Sequence, residues 1–433
     1  MKVLHINTSD TAGGAAIAAF RLHKAMLKDG IESTFFCLNR TINDDERILT
    51  VCKKTKILSR TVDLARQIAF RKTRLSSKKG LFSNFFQGHR ISKEINIFQY
   101  DVIYIHWING SFLSFNALEE ILKTRKQVYW FMHDMFPITG GCHHSFECKK
   151  YEKKCGNCPY LKNKNKKDFS FKQLNKKKQL LKKYRNLSFV SPSKWLYECA
   201  KASGISKECG SNVFHVPNLL DSKIFKPMDK YFCRIALNIP QNKNVILFGA
   251  DGALVNPYKG FEYLEKALAI LNKNPKIKNE DILLVIFGSS YNSEIEKRLP
   301  YQTIFTGYLH DNVTLNLLYN VADVFCIPSL AEAFGQTALE SAFCKTPVVG
   351  FNVGGIPDVV NNETGYLAEY KDSADFAEGI SKILTGEIKP SFENINQHEA
   401  CKVVERHKIM WKNNGGGDSC RVISWQSSLR EAA

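Results

Sequence analysis

The sequence predicts an α/β protein made of two successive doubly wound, Rossmann-like domains. Three observations predict it. A strand, a glycine turn, a helix and a second strand follow one another between Lys2 and Leu38. A comparable cycle restarts at Val245. The 433 residues exceed one ordinary core and suit two domains of about 200 residues each.

Each element follows from local pattern. Lys2 to Asn7 alternates and is rich in β-formers, as a buried first strand should be. Gly13 and Gly14 make the turn, Ala15 to Met26 carries an apolar helical pattern, and Gly30 closes it. Ser33 to Leu38 reads as the second strand, giving the β-loop-α-β start of a doubly wound domain. Asp101–His106, Gln127–Met132, Leu187–Ser191 and Val213–Pro217 are further short strands. In the second cycle Val245–Gly249 is a strand and Gly260–Leu271 a helix. Ile282–Gly288, Ile304–Gly307, Val324–Pro328 and Pro347–Gly350 follow as strands between helices. Boundaries are placed at 1–218 for the first domain, 219–244 for a proline-marked linker and 245–390 for the second domain. Residues 391–433, with Gly415-Gly416-Gly417, read as an uncertain tail of weak periodicity.

Composition excludes several classes. Hydrophobic residues make up 44% and charged residues 24%, which is ordinary for a globular chain and excludes wholesale disorder. No window approaches a run of about 18 apolar residues, so no membrane-spanning helix is expected. MKVLHINTSDTAGG lacks the pattern of a signal peptide, so a cytoplasmic protein is expected. Thirteen cysteines then point to free thiols or a metal site before disulfides. The net charge of +19 is concentrated. Lys53–Lys79 holds ten Lys and Arg against one acid, and Lys149–Arg185 holds fifteen against two. Such stretches suit a polyanionic surface or are simply solvated faces.

The chemistry concentrates in the second domain. Glu332-Ala333-Phe334-Gly335 follows the strand Val324–Pro328, and Gln336–Phe343 reads as a helix carrying Glu340. The free N–H groups of that helix would face the crevice at the strand's carboxyl end, where an anion binds well. Two carboxylates beside such an anion make better sense as acceptors for sugar hydroxyls than as phosphate contacts. Lys259, in Tyr258-Lys259-Gly260, points to the same crevice and can neutralise a diphosphate leaving group. Gly354-Gly355 supplies a second close-approach loop. The sequence holds no D-x-D pair suited to a catalytic divalent metal.

In order and spacing, these motifs resemble family 4 glycosyltransferases of the GT-B fold, and most of all the capsule, exopolysaccharide and colanic-acid branch. The matching residues are Gly13-Gly14-Ala15, His133-Asp134, Ser191-Pro192-Ser193, Pro217-Asn218, Lys259-Gly260, Thr306-Gly307, Ala322-Asp323, Glu332-Ala333-Phe334-Gly335, Glu340, Pro347-Val348-Val349 and Gly354-Gly355. They cover roughly residues 1 to 370. The resemblance implies two Rossmann-like domains facing across a cleft and a retaining, metal-independent transfer from a nucleotide-sugar donor to a glycan or polyprenyl-diphosphate-linked acceptor. It implies that Glu332 acts at the transferred sugar, that His133 hydrogen-bonds that sugar or helps to orient the acceptor hydroxyl, and that Glu340 holds the ribose. Lys259, Gly13 and Gly14 would bind the diphosphate, with Phe334, Gly335, Gly354 and Gly355 completing the donor site. Relatives commonly carry an arginine directly before the lysine. Here that residue is Tyr258, and Arg21 and Lys194 are candidate substitutes.

A second constellation is Cys142, Cys148, Cys155 and Cys158, with His143 and His144 beside the first. Four thiolates at this spacing form a candidate structural Zn²⁺ site, with free or redox-active thiols as the other reading. No cofactor is expected for catalysis itself. Ile57, Val62, Leu64, Ile68 and Phe70 interleave with Lys56, Arg60, Arg66, Arg71 and Lys72, close to a basic amphipathic helix suited to an anionic membrane face. Peripheral association with the inner face of the plasma membrane is therefore expected, and nucleic acid is not an expected partner. The alternative from another class is a catalytically impaired, polyanion- or membrane-binding protein with a zinc knuckle.

Overall fold

The computed structural model describes residues 1–51, 68–72, 74–76, 80–309 and 311–415. In the first domain a seven-stranded parallel sheet has the order β3-β2-β1-β4-β5-β6-β7. Its strands are β1 (Lys2–Ser9), β2 (Glu32–Asn39), β3 (Ile48–Thr50), β4 (Val102–Ile105), β5 (Gln127–Phe131), β6 (Leu187–Ser191) and β7 (Val213–His215). The helices are α1 (Gly14–Lys28), α2 (Phe115–Lys123), α3 (Phe169–Tyr184), α4 (Lys194–Ala202) and α5 (Gly204–Cys209). The central strands are apolar almost throughout, as strands covered on both faces must be.

The second domain begins with α6 (Lys230–Ala236) and holds a six-stranded parallel sheet of order β10-β9-β8-β11-β12-β13. Its strands are β8 (Asn244–Gly249), β9 (Ile282–Phe287), β10 (Gln302–Gly307), β11 (Val324–Ile327), β12 (Val348–Phe351) and β13 (Gly365–Ala368). The helices are α7 (Phe261–Leu271), α8 (Ser293–Glu296), α9 (Asn312–Val321), α10 (Gln336–Phe343), α11 (Ser373–Leu384) and α12 (Ala400–Gly415).

Two boundaries differ from the sequence reading. The segment read as a linker is part of the second core: Leu220, Phe225, Cys233 and Ile239 are buried among residues of β8, β9 and α10. The segment read as a tail includes α12, which crosses back to the first domain. Val403, Val404, Met410 and Trp411 pack with Val3, Tyr104 and Tyr129, and the Trp411 indole N–H donates to the Tyr104 hydroxyl at 2.8 Å. These apolar residues fall at helical spacing on one face, but the charged residues between them dilute the pattern.

The carboxyl ends of the two sheets face each other. Arg21 on α1 reaches Glu340 on α10, the Lys194 N–H at the start of α4 donates to Asp358, and Asn218 meets Gln336. The crevice between these contacts is where a doubly wound fold binds its ligand. Of the basic amphipathic segment, Lys56, Ile57, Arg60, Val62, Leu64 and Arg66 lie outside the described residues, as do residues 416–433.

Candidate functional site

On the second domain the site is built from the loops after β8, β11 and β12. Gly335 caps α10 in the left-handed region (φ 97°), and no side chain bonds the first turn. The helix therefore offers free N–H groups and its positive end to the cleft. The preceding loop is seated by the glycine pair after β12. The Gly355 N–H donates to the Glu332 carbonyl at 3.0 Å. A Cβ on Gly354 would lie 2.0 Å from that carbonyl oxygen, and one on Gly355 would lie 2.3 Å from the Ala333 oxygen. Gly354 and Gly355 thus set the height of the Glu332 loop. Phe334 is an anchor, buried in the second core against the His398 ring at 5.6 Å.

Lys259 arrives from the loop after β8, the neighbour of β11. Gly260 behind it (φ 68°) touches β11's end so closely that a Cβ would sit 1.8 Å from the Pro328 oxygen. The two adjacent strands thereby bring the Lys259 Nζ to 2.9 Å from Glu332 Oε2. Both side chains remain about a fifth exposed (24% and 19%), so the pair holds with little energy, roughly 0–1 kcal/mol. An arriving diphosphate can take the lysine and leave the carboxylate free.

Glu340 is placed differently from a residue open to the cleft. It is buried, accepts from the Arg21 guanidinium at 2.7 Å and from the Tyr319 hydroxyl at 2.8 Å, and so joins the two domains. Arg21, a candidate diphosphate cation in the sequence, is occupied there and also lies over the Phe225 ring. Tyr258, where an arginine was expected, is an aromatic strut. Its hydroxyl accepts from the Leu81 N–H at 3.2 Å, and its ring packs on Phe146 and His144.

On the first domain Gly13 caps α1 (φ 86°), again with no side-chain cap and no acid in the first turn. Nothing lies within 4 Å of a Cβ built on Gly13 or Gly14, so this helix end also opens on free space. His133 follows β5. Its Nε2 lies 3.0 Å from His106 Nδ1, and burial holds its ring neutral, with a pKa lowered to about 4. Asp134 turns inward: its carboxylate takes the Phe136 N–H and the Trp107 indole N–H and pairs with His143. His144 feels both Glu332 and Lys259, and its buried Nδ1 has no partner among the described residues. Sequence reasoning missed the placement of His144 beside this pair and the whole of His5 and His106. The available signal was one histidine within the first strand and two just after strands that a doubly wound order makes its neighbours.

Cys142, Cys148, Cys155 and Cys158 line one pocket. Burial raises Cys155 to about 12 and Cys158 to about 11, with neighbouring cysteines adding to the shift. Among the described residues no group of three or more His, Cys, Asp or Glu side chains is arranged to hold a metal ion, so the zinc expectation rests on spacing and on the shared pocket. No helix among the described residues is long and apolar enough to cross a membrane.

Residues 230–399 match the family model described as Glycosyl transferases group 1. The chain is similar to the D-inositol 3-phosphate glycosyltransferase of Saccharomonospora viridis, at 31% identity over 176 residues. That match covers 38% of this chain and only 40% of the relative's length. In fold it is similar to sucrose-phosphate synthase from Thermosynechococcus elongatus, with a TM-score of 0.62, 18% identity, and coverage of 95% of this chain and 98% of the other. It is likewise similar to HepE of Anabaena, solved in complex with UDP and glucose, with a TM-score of 0.60, 14% identity, and coverage of 95% and 100%. The architecture is the GT-B arrangement of two Rossmann-like domains. The sequence similarity supports the wider group 1 glycosyltransferase family rather than one branch of it.

Proposed function

We propose that the protein is a retaining, metal-independent glycosyltransferase that moves a sugar from a nucleoside-diphosphate donor to a glycan or lipid-linked acceptor in surface-polysaccharide synthesis. The observation that carries the reading is the Lys259–Glu332 pair at 2.9 Å beside the uncapped end of α10, with the uncapped end of α1 on the facing domain. A diphosphate between two helix ends would draw Lys259 off Glu332. The freed carboxylate would then accept hydrogen bonds from the sugar. As the glycosidic bond breaks, negative charge grows on the departing diphosphate, where the helix N–H groups and Lys259 stabilise it. The acceptor hydroxyl attacks from the same face. The UDP and glucose in the HepE structure support this donor class.

Thermal-shift titration with UDP, GDP, ADP and CDP, followed by a donor-hydrolysis panel in EDTA, tests the proposal. Stabilisation by one nucleoside diphosphate and release of its sugar are expected. If none of them stabilises the protein while an anionic polymer does, the impaired polyanion-binding alternative holds instead.

Two further parts belong to this reading. A structural zinc at Cys142, Cys148, Cys155 and Cys158 predicts one zinc ion in the native mass spectrum. Peripheral membrane contact is supported by the exposed Ile68, Arg71 and Lys72 of the basic amphipathic stretch in the first domain. It predicts binding to phosphatidylglycerol vesicles that weakens with salt.

A further inference from the structure

Three histidines on three adjacent strands form one hydrogen-bonded chain that ends at the cleft. His5 lies on β1, His106 follows β4 and His133 follows β5. Side chains two apart share a sheet face, so His5 sits with Val3, His106 with Tyr104, and His133 with Phe131. All three lie on the face that α1 and α12 cover. His5 Nδ1 is 3.0 Å from His106 Nε2, and His106 Nδ1 is 3.0 Å from His133 Nε2. His5 and His106 are buried, with 0% and 2% exposure, and Tyr104 stacks on His5 at 5.1 Å.

In a neutral ring one nitrogen carries hydrogen and the other accepts. Each of the two contacts needs one N–H, so the tautomers are locked together and the chain has only two states. In one, His133 Nε2–H donates to His106, His106 donates to His5, and the His5 hydrogen is left on Nε2. That atom is buried and has no partner among the described residues. In the other, His5 Nδ1–H donates to His106 Nε2, and His106 Nδ1–H donates to His133 Nε2. The unpartnered atom on His5 is then a lone pair. Orphaned buried donors are the rarer defect, so the second state is favoured. It places the remaining hydrogen of His133 on Nδ1, which no group among the described residues engages and which belongs to a half-buried ring beside the cleft.

We propose that His106, a positioning residue backed by His5, fixes His133 as a neutral Nδ1–H donor directed at a ligand hydroxyl or carbonyl oxygen. His133 then cannot serve as the base that deprotonates an acceptor, because its only acceptor nitrogen is filled by His106. That the ligand oxygen belongs to the transferred sugar rests on the glycosyltransferase reading; the tautomer does not.

Long-range ¹H–¹⁵N correlation spectra of full-length, deuterated, ¹⁵N-histidine-labelled protein at pH 7 test this without substrate. The His133 signals are assigned by their loss in His133→Gln. Expected is a pyrrole-type Nδ1 and a pyridine-type Nε2 on His133. In His5→Leu the unpartnered lone pair passes to His106 Nε2 and the Nδ1–H form of His133 is kept, whereas His106→Leu removes the hydrogen offered to His133 Nε2 and the Nε2–H form appears. His106→Leu is read in parallel, and unfolding of either variant is checked by circular dichroism. A wild-type His133 in the Nε2–H or the doubly protonated form overturns the proposal. So does a Nδ1–H form that persists unchanged in folded His106→Leu, or one that is lost in folded His5→Leu. If both folded variants behave as expected but no nucleotide sugar binds, the donor assignment fails and the histidine chain stands.

Discussion

Lys259 and Glu332 illustrate how a single residue here has two states with different partners. Without donor each satisfies the other. With donor, Lys259 would face a growing negative charge and Glu332 the sugar. The ion pair is partly exposed and contributes little to stability, whereas the same lysine opposite a leaving diphosphate would contribute to the transition state. Lys259→Ala is therefore expected to leave the melting temperature nearly unchanged while lowering kcat/KM by about 10²–10³-fold, the range typical for removal of one oxyanion-stabilising donor. Donor-hydrolysis kinetics beside a melting curve measure both. A variant that loses its fold along with its activity would show the lysine to be structural. Glu340 behaves in the opposite way. Its buried pair with Arg21 makes it a structural joint first, and Arg21→Ala would strand a buried carboxylate.

At the scale of elements, the loop that carries Glu332 owes its position to the glycines after β12. Gly354 has φ 57°, and its missing Cβ leaves room for the Glu332 carbonyl. Gly354→Ala is expected to cost about 1–3 kcal/mol through overpacking and an unfavourable backbone conformation. It should also lower activity more than that loss explains, because the displaced loop moves Glu332 away from Lys259. Urea unfolding and donor hydrolysis on the same preparation measure the two effects, and a variant of normal activity would refute the seating role. The sequence signalled this loop well: strand, acidic loop, glycine cap and helix all fall within a residue or two of where they were read. It signalled α12 poorly, since Val403, Val404, Met410 and Trp411 are separated by charged residues, and the partner face formed by Val3, Tyr104 and Tyr129 lies hundreds of residues away. The use of Glu340 was invisible for the same reason. Its spacing from Glu332 shows the helix face, but only the packing of α1 against the second domain shows that Arg21 takes the carboxylate. Short β3 and the histidine chain likewise depend on strand order, which local periodicity does not carry.

For the whole molecule, buried histidines couple folding to pH. His23, His133, His215 and His398 are lowered to about 4 and His407 to about 3, in each case first by burial. His5 and His106 are shifted in the same direction. These lie inside the first sheet's covered face or at the seam with α12 and the second domain, so their protonation would open both. The sign follows from linkage. Above the ordinary histidine pKa of 6.5 neither the folded nor the unfolded chain binds these protons, and the stability is fully present. As pH falls from 6.5 toward 4 the unfolded chain takes up protons that the folded chain refuses, and each such group removes about 1.4 kcal/mol per pH unit. Asp358 opposes this, since burial raises its carboxyl and the folded state protonates first, but it is one group against several. Lys177, which burial lowers to about 7, adds to the fall at higher pH, because the unfolded chain keeps a lysine proton that the folded chain gives up. The urea midpoint, followed by tryptophan fluorescence at constant ionic strength, is therefore expected to fall gently from pH 8 to 7 and steeply between pH 6.5 and 4.5. Replacing His23, a buried residue of α1 whose Nδ1 lies 2.7 Å from the Ser33 hydroxyl, with Gln should flatten part of that fall. A midpoint that stays level or rises across this interval would mean that the histidines take up protons in the folded state, and the buried, neutral chain from His5 to His133 would then be wrong as well.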